Sequence, residues 1–219
     1  MGTRREIIVG KPVLVVVDIQ NGEVRPDGTE PIPHMPGREG REEKAVKLIQ
    51  TARATGVPLI FIQEAHRRDG VDFGRELDGV EDAHCIEGEY ATEIMACLEM
   101  TEDDYFIRKR RYSCFFGTDF EILVKGLKAQ TLIFIGGLTD VCVHYSFVDG
   151  HQNDYFCRVV EDCVGGSTMP AHDASLAAME YLQTGARRTT TEMMVAMQDW
   201  HNHQLESHPS INPSMRATS

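Results

Sequence analysis

An α/β fold, arranged as a single three-layer α/β/α domain around a mostly parallel, Rossmann-type sheet of about six strands, is predicted by three features of this 219-residue chain. Short β-branched apolar runs recur along it, separated by longer stretches whose apolar residues fall at three- and four-residue spacings. The runs PVLVVVD, VPLIFIQ and TLIFIG are apolar nearly throughout, as strands buried on both faces of a parallel sheet must be. No internal repeat or linker divides the chain, and its length suits one ordinary domain, assigned to residues 1–200.

Pro12–Asp18 is the first strand. In Gly40–Thr55, Ala45, Leu48, Ile49 and Ala52 lie on one helical face, and Gly56 supplies a C-terminal stop. Val57–Gln63 is the second strand. Tyr90–Met100 reads as a helix, Asp104–Arg108 as a short third strand and Phe120–Leu127 as a helix. Thr131–Gly136 is the fourth strand, followed by a helix over Thr139–Asn153. Tyr155–Val160 is the fifth strand, Ala171–Thr184 an amphipathic helix closed by Gly185, Arg188–Thr190 a short sixth strand, and Glu192–Trp200 the last helix. Alternation of this kind implies right-handed crossovers, with the active site beyond the C-terminal ends of the strands. Asn21–Gly37, rich in Gly, Pro and charge, is expected as a loop over the mouth of that site. Residues 201–219, with several His, Pro and Ser, are expected as a polar tail, disordered or in contact with another subunit.

Composition narrows the function. A formal net charge of −12 disfavours a nucleic-acid partner, which asks for a basic face. No stretch reaches the roughly 20 apolar residues of a membrane span, and the N-terminus lacks the apolar core of a signal peptide. The six cysteines show no compact framework and no C-x-x-C pair, which points to reduced thiols and a cytoplasmic location.

Three reactive side chains fall at strand exits: Asp18 after the first strand, Lys109 after the third and Cys142 after the fourth, in GGLTDVCV. A cysteine at the start of a helix gains from its partial positive charge, which favours thiolate, and from N–H groups that can hold an oxyanion. Asp18 can take the thiol proton and return it to a leaving amine, with Lys109 as a cation between the two. Singly, each residue has a plainer reading, as small core residue, helix cap or solvated surface charge. Their joint placement points to chemistry.

The same segments carry a family resemblance over about residues 11–190. VVVDIQN resembles the first motif of the isochorismatase-like cysteine hydrolases, IRKRRYSCFFGTD the second and GGLTDVCVHYSFVDG the third, in family order. The resemblance is to the branch containing biuret, ureidoacrylate and N-carbamoylsarcosine amidohydrolases and nicotinamidases. It implies Asp18, Lys109 and Cys142 as the catalytic triad. It also implies a cis peptide at Gly137–Leu138 and an oxyanion hole from the N–H groups of Leu138 and Cys142. Where the family often has an aromatic residue five positions after the aspartate, this chain has Glu23. The pocket wall there is then more polar, or supplied by Phe115 or Phe116. His66, Arg67 and Phe115 are the expected substrate-binding residues, Arg67 as the holder of a substrate carboxylate or carbonyl.

Nicotinamidases of this kind carry a metal on an Asp-x-His pair and a later His. Glu64, His66 and His84 are the corresponding set here, an acceptable one for zinc. The longer Glu64 and the neighbouring Arg67 and Arg68 argue against it, so the expectation is an enzyme without cofactor. VGGSTMPAHDASL lacks the ending of a phosphate loop, so His172 reads as structural. The predicted function is hydrolysis of a C–N bond in a small amide, ureide or carbamoyl compound through an acyl-thioester, by a homo-dimer or homo-tetramer. The alternatives are a metal-containing nicotinamidase-like amidase and a catalytically silent or redox-sensing member of the family. The cysteine argues against vinyl-ether hydrolysis, which uses no such nucleophile.

Overall fold

The computed structural model describes residues 6–207 and has six parallel strands and five helices. The strands are β1 (Pro12–Val17), β2 (Leu59–Glu64), β3 (Tyr105–Lys109), β4 (Thr131–Gly137), β5 (Phe156–Gly165) and β6 (Arg187–Arg188). The helices are α1 (Arg38–Thr55), α2 (Phe120–Gly126), α3 (His144–Gln152), α4 (Met169–Leu182) and α5 (Thr190–Ser207).

The spatial order β3-β2-β1-β4-β5-β6 makes β1 central, paired with β2 on one edge and β4 on the other. All six β1 residues are buried, which is why this run has no polar alternation. Its side chains still alternate between faces. Val13, Val15 and Val17 join Phe134 and Phe147 in one core cluster, while Leu14 and Val16 join Leu48, Ile49 and Phe61 in the other. Helices α1 and α5 pack together over the second cluster. The first contains residues of α2, α3 and α4, so both faces of the sheet are covered. The order in which strands are added switches sides between β1 and β4, and the crevice of such a sheet opens there.

Two departures from the expected elements have visible causes. Tyr90–Met100 forms no α-helix, only the 3₁₀ turns Tyr90–Thr92 and Ala96–Leu98. The buried amides of Gln20 and Gln63 both donate to the Thr92 carbonyl (2.7 and 2.9 Å), and Met95 N–H bonds to the Ile19 carbonyl, so this backbone is spent on tertiary bonds. Helix α5 runs past Trp200 to Ser207, with His201 Nδ1 3.0 Å from the Thr55 carbonyl, so the expected tail is helical over 201–207. Its remainder, 208–219, lies outside the described residues. Strand β5 also continues to Gly165, past the expected Val160. All six cysteines are free, and no helix among the described residues is long and apolar enough to cross a membrane.

The close approach of β4 to β1 needs a residue without a side chain. Gly136 has φ +111°, and a Cβ there would lie 1.9 Å from the Val17 carbonyl oxygen. Gly136→Ala is therefore expected to cost more than about 3 kcal/mol in urea denaturation. Gly126→Ala, where a Cβ meets nothing within 4 Å, is the tolerated control.

Candidate active site

Asp18 follows β1 with φ +49°, a left-handed conformation that aspartate adopts more readily than most residues. Lys109 closes β3, and Cys142 lies in the π-helical turn Thr139–Val143 that joins β4 to α3. That turn is tied to the loop before α4. Thr139 Oγ1 meets His172 Nδ1 at 2.9 Å, and Asp140 accepts from Ser167 N at 2.8 Å. His172 is thus a structural tie, as its sequence context suggested. The Gly137–Leu138 peptide is cis.

The structure brings the three strand-exit residues together and adds a fourth. Lys109 is fully buried, and its Nζ lies 2.8 Å from Asp18 Oδ2, 2.6 Å from Glu64 Oε2 and 3.3 Å from Cys142 Sγ. The thiol in turn sits 3.4 Å from Glu64 Oε2. Burial would lower the lysine pKa, but Asp18, Cys142 and Glu64 hold it well above its usual value. Burial would raise Glu64, yet Lys109 and hydrogen bonds from His66 and His84 keep it well below the carboxylate range. Asp18 goes the other way: burial pushes it up to about 6 against the pull of Lys109.

The cysteine differs from expectation. Burial, with Glu64 and Asp18 adding to it, pushes the thiol well above its usual range despite Lys109. Its resting form is a thiol, not the thiolate that a helix N-terminus suggests. A carboxylate titrating near neutrality stands beside the same ammonium, so a base for the thiol proton is at hand.

The pocket above Cys142 has a cavity volume of about 190 Å³, room for a small molecule. The loop 21–37 roofs it, with Gly22, Glu23, Ile32 and His34 among the lining residues. Leu138 and Cys142, the expected oxyanion-hole residues, also line it. The expected substrate-binding residues do not. His66 is fully buried behind Glu64 and stacks on Phe73 at 4.1 Å. The Arg67 side chain is 63% exposed, beside Asp72. Phe115 packs edge-on against Phe120 at 4.7 Å, and Phe116 is exposed. Glu23 does reach the pocket, so the more polar of the two expected walls is the one present. Among the lining groups missed by the sequence reading are Tyr112, Glu81, Arg38 and Arg41.

The low-ranked metal set converges. Glu64 Oε1 lies 3.3 Å from His66 Nε2 and 3.0 Å from His84 Nε2, and Glu76 Oε2 lies 3.0 Å from His66 Nε2. All four residues are buried, with donor atoms within 4.8 Å of one another. Glu76, from the 3₁₀ turn Glu76–Asp78, had no sequence signal beyond its loop. Glu76 Oε2 faces His66 while its buried Oε1 meets no donor, so two carboxylates and two imidazoles fit a divalent cation here. The same groups also balance as an ionic network. Against burial, Glu64 and Glu76 push His66 up to about 9, which makes it an imidazolium at neutral pH.

The family model described as the isochorismatase domain matches residues 12–193. A ureidoacrylate amidohydrolase of Azorhizobium caulinodans is 26% identical over 174 residues, covering 71% of this chain and 77% of that protein. A maleamate amidohydrolase of Pseudomonas putida is also 26% identical, covering 76% and 78%. Among solved structures, a cysteine hydrolase from Pseudomonas syringae pv. phaseolicola superposes with a TM-score of 0.76 at 23% identity, over 90% of this chain and 99% of that one.

Removing the Lys109 ammonium leaves Asp18 and Glu64 buried without their shared cation. Lys109→Met is expected to lose about 3–5 kcal/mol in urea denaturation, whereas Arg67→Ala stays within about 0.5 kcal/mol of the parent.

Proposed function

The chain belongs to the isochorismatase family, and we propose that it hydrolyses the C–N bond of a small amide, ureide or carbamoyl compound with Cys142 as nucleophile. One observation carries this reading: a single buried ammonium touches a carboxylate titrating near 6 and the thiol at the floor of a pocket. The amidohydrolase relatives support the bond type.

Cys142 Sγ attacks the substrate carbonyl as its proton passes to Asp18. The carbonyl oxygen becomes an oxyanion held by the N–H groups of Leu138 and Cys142. Asp18 then returns the proton to the nitrogen, the C–N bond breaks, ammonia or an amine leaves, and an acyl-thioester remains. Water attacks this ester, giving one proton to Asp18. The C–S bond breaks, the acid departs and the thiol regains the proton. Lys109 keeps positive charge beside the sulfur whenever it carries negative charge. Glu64 holds Lys109 in place with a second ion pair beside that of Asp18.

The convergence of four buried donors, with Glu76 Oε1 left unpartnered, favours a second reading, a metal-containing nicotinamidase-like amidase. Glu64, His66, Glu76 and His84 would hold the ion. A bound divalent cation supplies Lewis acidity and a more acidic bound water. In either reading the cysteine remains the nucleophile.

Ammonia release from a panel of amides and ureides tests the proposal. Cys142→Ser is expected to lower turnover at least about 1,000-fold. A base must be ionised to act, so kcat/KM should fall as pH drops through about 6. Asp18→Asn should abolish that limb along with most of the rate. Turnover that survives Cys142→Ser contradicts the proposal. Elemental analysis decides between the readings. A stoichiometric divalent ion that is lost in Glu76→Gln supports the second, and full activity of metal-free, chelator-treated protein ends it.

A further inference from the structure

From the charges left unpaired in the pocket, we propose that Arg41 is the residue that selects substrate, by binding a carboxylate on the molecule whose C–N bond is cleaved. This rests on the amidohydrolase reading above and names its substrate class: a short monoamide or ureide with an acid group at the far end.

The argument starts from how the pocket's other charges are occupied. Arg38 is consumed: it donates to Glu42 at 2.5 Å and to the carbonyls of Gln20 and Asn21 at 2.7 and 3.0 Å. Lys109 is consumed by Asp18 and Glu64. Glu30 is paired with His34 at 2.6 Å. Arg41 is different. Among the described residues it has no carboxylate within ion-pair distance, and it is hydrogen-bonded only to the carbonyls of Pro36 (2.7 Å) and Met35 (3.1 Å). A guanidinium has five N–H donors, so most of this one's capacity is unspent. Burial disfavours its charged form, and neighbouring Glu42, itself paired with Arg38, offsets only part of that. A partly desolvated cation without a counter-ion gains from an anion delivered by the ligand.

The guanidinium also has a built seat. Gly165, at the exit of β5, has no side chain to fill the space. A Cβ there would lie 2.6 Å from Arg41 Nε and 2.8 Å from Nη2. The two carbonyls hold the group from the roof side, and Met35 is itself tied to the Gly166 carbonyl at 2.9 Å. Gly165 pairs with Gly137, the residue before Leu138. Neighbouring strands lie about 4.8 Å apart, so the guanidinium sits roughly one strand spacing from the oxyanion-hole backbone. That is a few bonds along a carbon chain. The acid end of a short ligand then falls over β5 while its carbonyl falls over Cys142.

Acidic lining residues set the direction of approach rather than opposing it. Glu23 and Glu89 are exposed at the rim and solvated. Glu81 is the inward one. Among the described residues its one partner within ion-pair distance is His84 Nε2, at 4.0 Å, on the β2 side of the nucleophile. A ligand carrying N–H donors at one end and a carboxylate at the other matches Glu81 on that side and Arg41 on this one.

The experiment compares succinamate and maleamate, which carry the acid, with succinamide, which is neutral and of similar size. Wild type should prefer the monoamides, chiefly through a lower KM. Arg41→Gln, which can still donate to the Met35 or Pro36 carbonyl, should shrink that preference by about 10- to 100-fold, and Arg41→Lys should restore part of it. Gly165→Ala displaces the guanidinium without removing it and should shrink the preference too. Calorimetry of the two monoamides with the Cys142→Ala protein reads the same contact without turnover: binding by the Arg41 form, and loss in the Gln variant.

Equal use of acid and neutral amides by wild type, or an Arg41→Gln effect shared equally by both, overturns the inference and leaves the amidohydrolase reading standing. Monoamide binding that depends on Arg41, with no amide of the panel turned over, supports the anion site and sinks the activity instead. Absence of both binding and turnover overturns the inference.

Discussion

The Lys109 ammonium is buried in full where three strand exits meet, and its contacts with Asp18, Glu64 and Cys142 organise the site. A lone buried cation would be costly, and two buried carboxylates would repel each other. Joined, they form a compact unit in which one carboxylate stays ionised and the other is left near neutrality. The split has a structural source. Glu64 receives the ammonium and two imidazoles, whereas the Asp18 oxygens accept no further hydrogen bond. Division of labour between paired titratable groups follows from such asymmetry.

The sheet makes the unit possible. Lys109, Glu64, Asp18 and the Cys142 turn come from β3, β2, β1 and β4, four consecutive neighbours in the parallel array. Parallel strands deliver their C-terminal ends to one edge, so residues distant in sequence meet there. Gly136 allows β1 and β4 the close approach this needs, and the ties from Thr139 to His172 and from Asp140 to Ser167 fix the nucleophile's turn to the far side of the crevice. Rigid support of this kind holds reacting groups in place without help from the mobile parts of a chain.

Much of this was legible in the sequence because buried parallel strands are written as unbroken apolar runs. Their exits bring Asp18, Lys109 and Cys142 to notice, and the family resemblance of the three motifs is what names them a triad. The pocket wall was not legible. Arg38 and Arg41 lie on the first turns of α1 and resemble any solvated helix charge until the loop 21–37 folds over them. Glu76 lies in a loop whose path no periodicity reveals. Phe115 is the expected stand-in for the aromatic residue that Glu23 replaces, but it packs instead on Phe120 and Tyr155 in the core. Glu161 and Asp162 interrupt the apolar run of β5 and hid the extension that carries Gly165 to the site; Asp162 is instead bound by Thr190 of α5. The helix expected at Tyr90–Met100 failed for a related reason, since side-chain amides of Gln20 and Gln63 captured its carbonyls.

The claim at the centre of this account is that Asp18, through the ammonium it shares with Cys142, makes a buried thiol reactive near neutral pH. The most direct test is alkylation by iodoacetamide, a small neutral electrophile, followed residue by residue by peptide mass spectrometry across a pH series. The account predicts that Cys142 reacts, with a rate that rises through about pH 6 and collapses in Asp18→Asn. If Cys142 stays unmodified while the exposed Cys97 reacts, or if its rate rises only in the ordinary thiol range and ignores Asp18→Asn, the central claim is wrong.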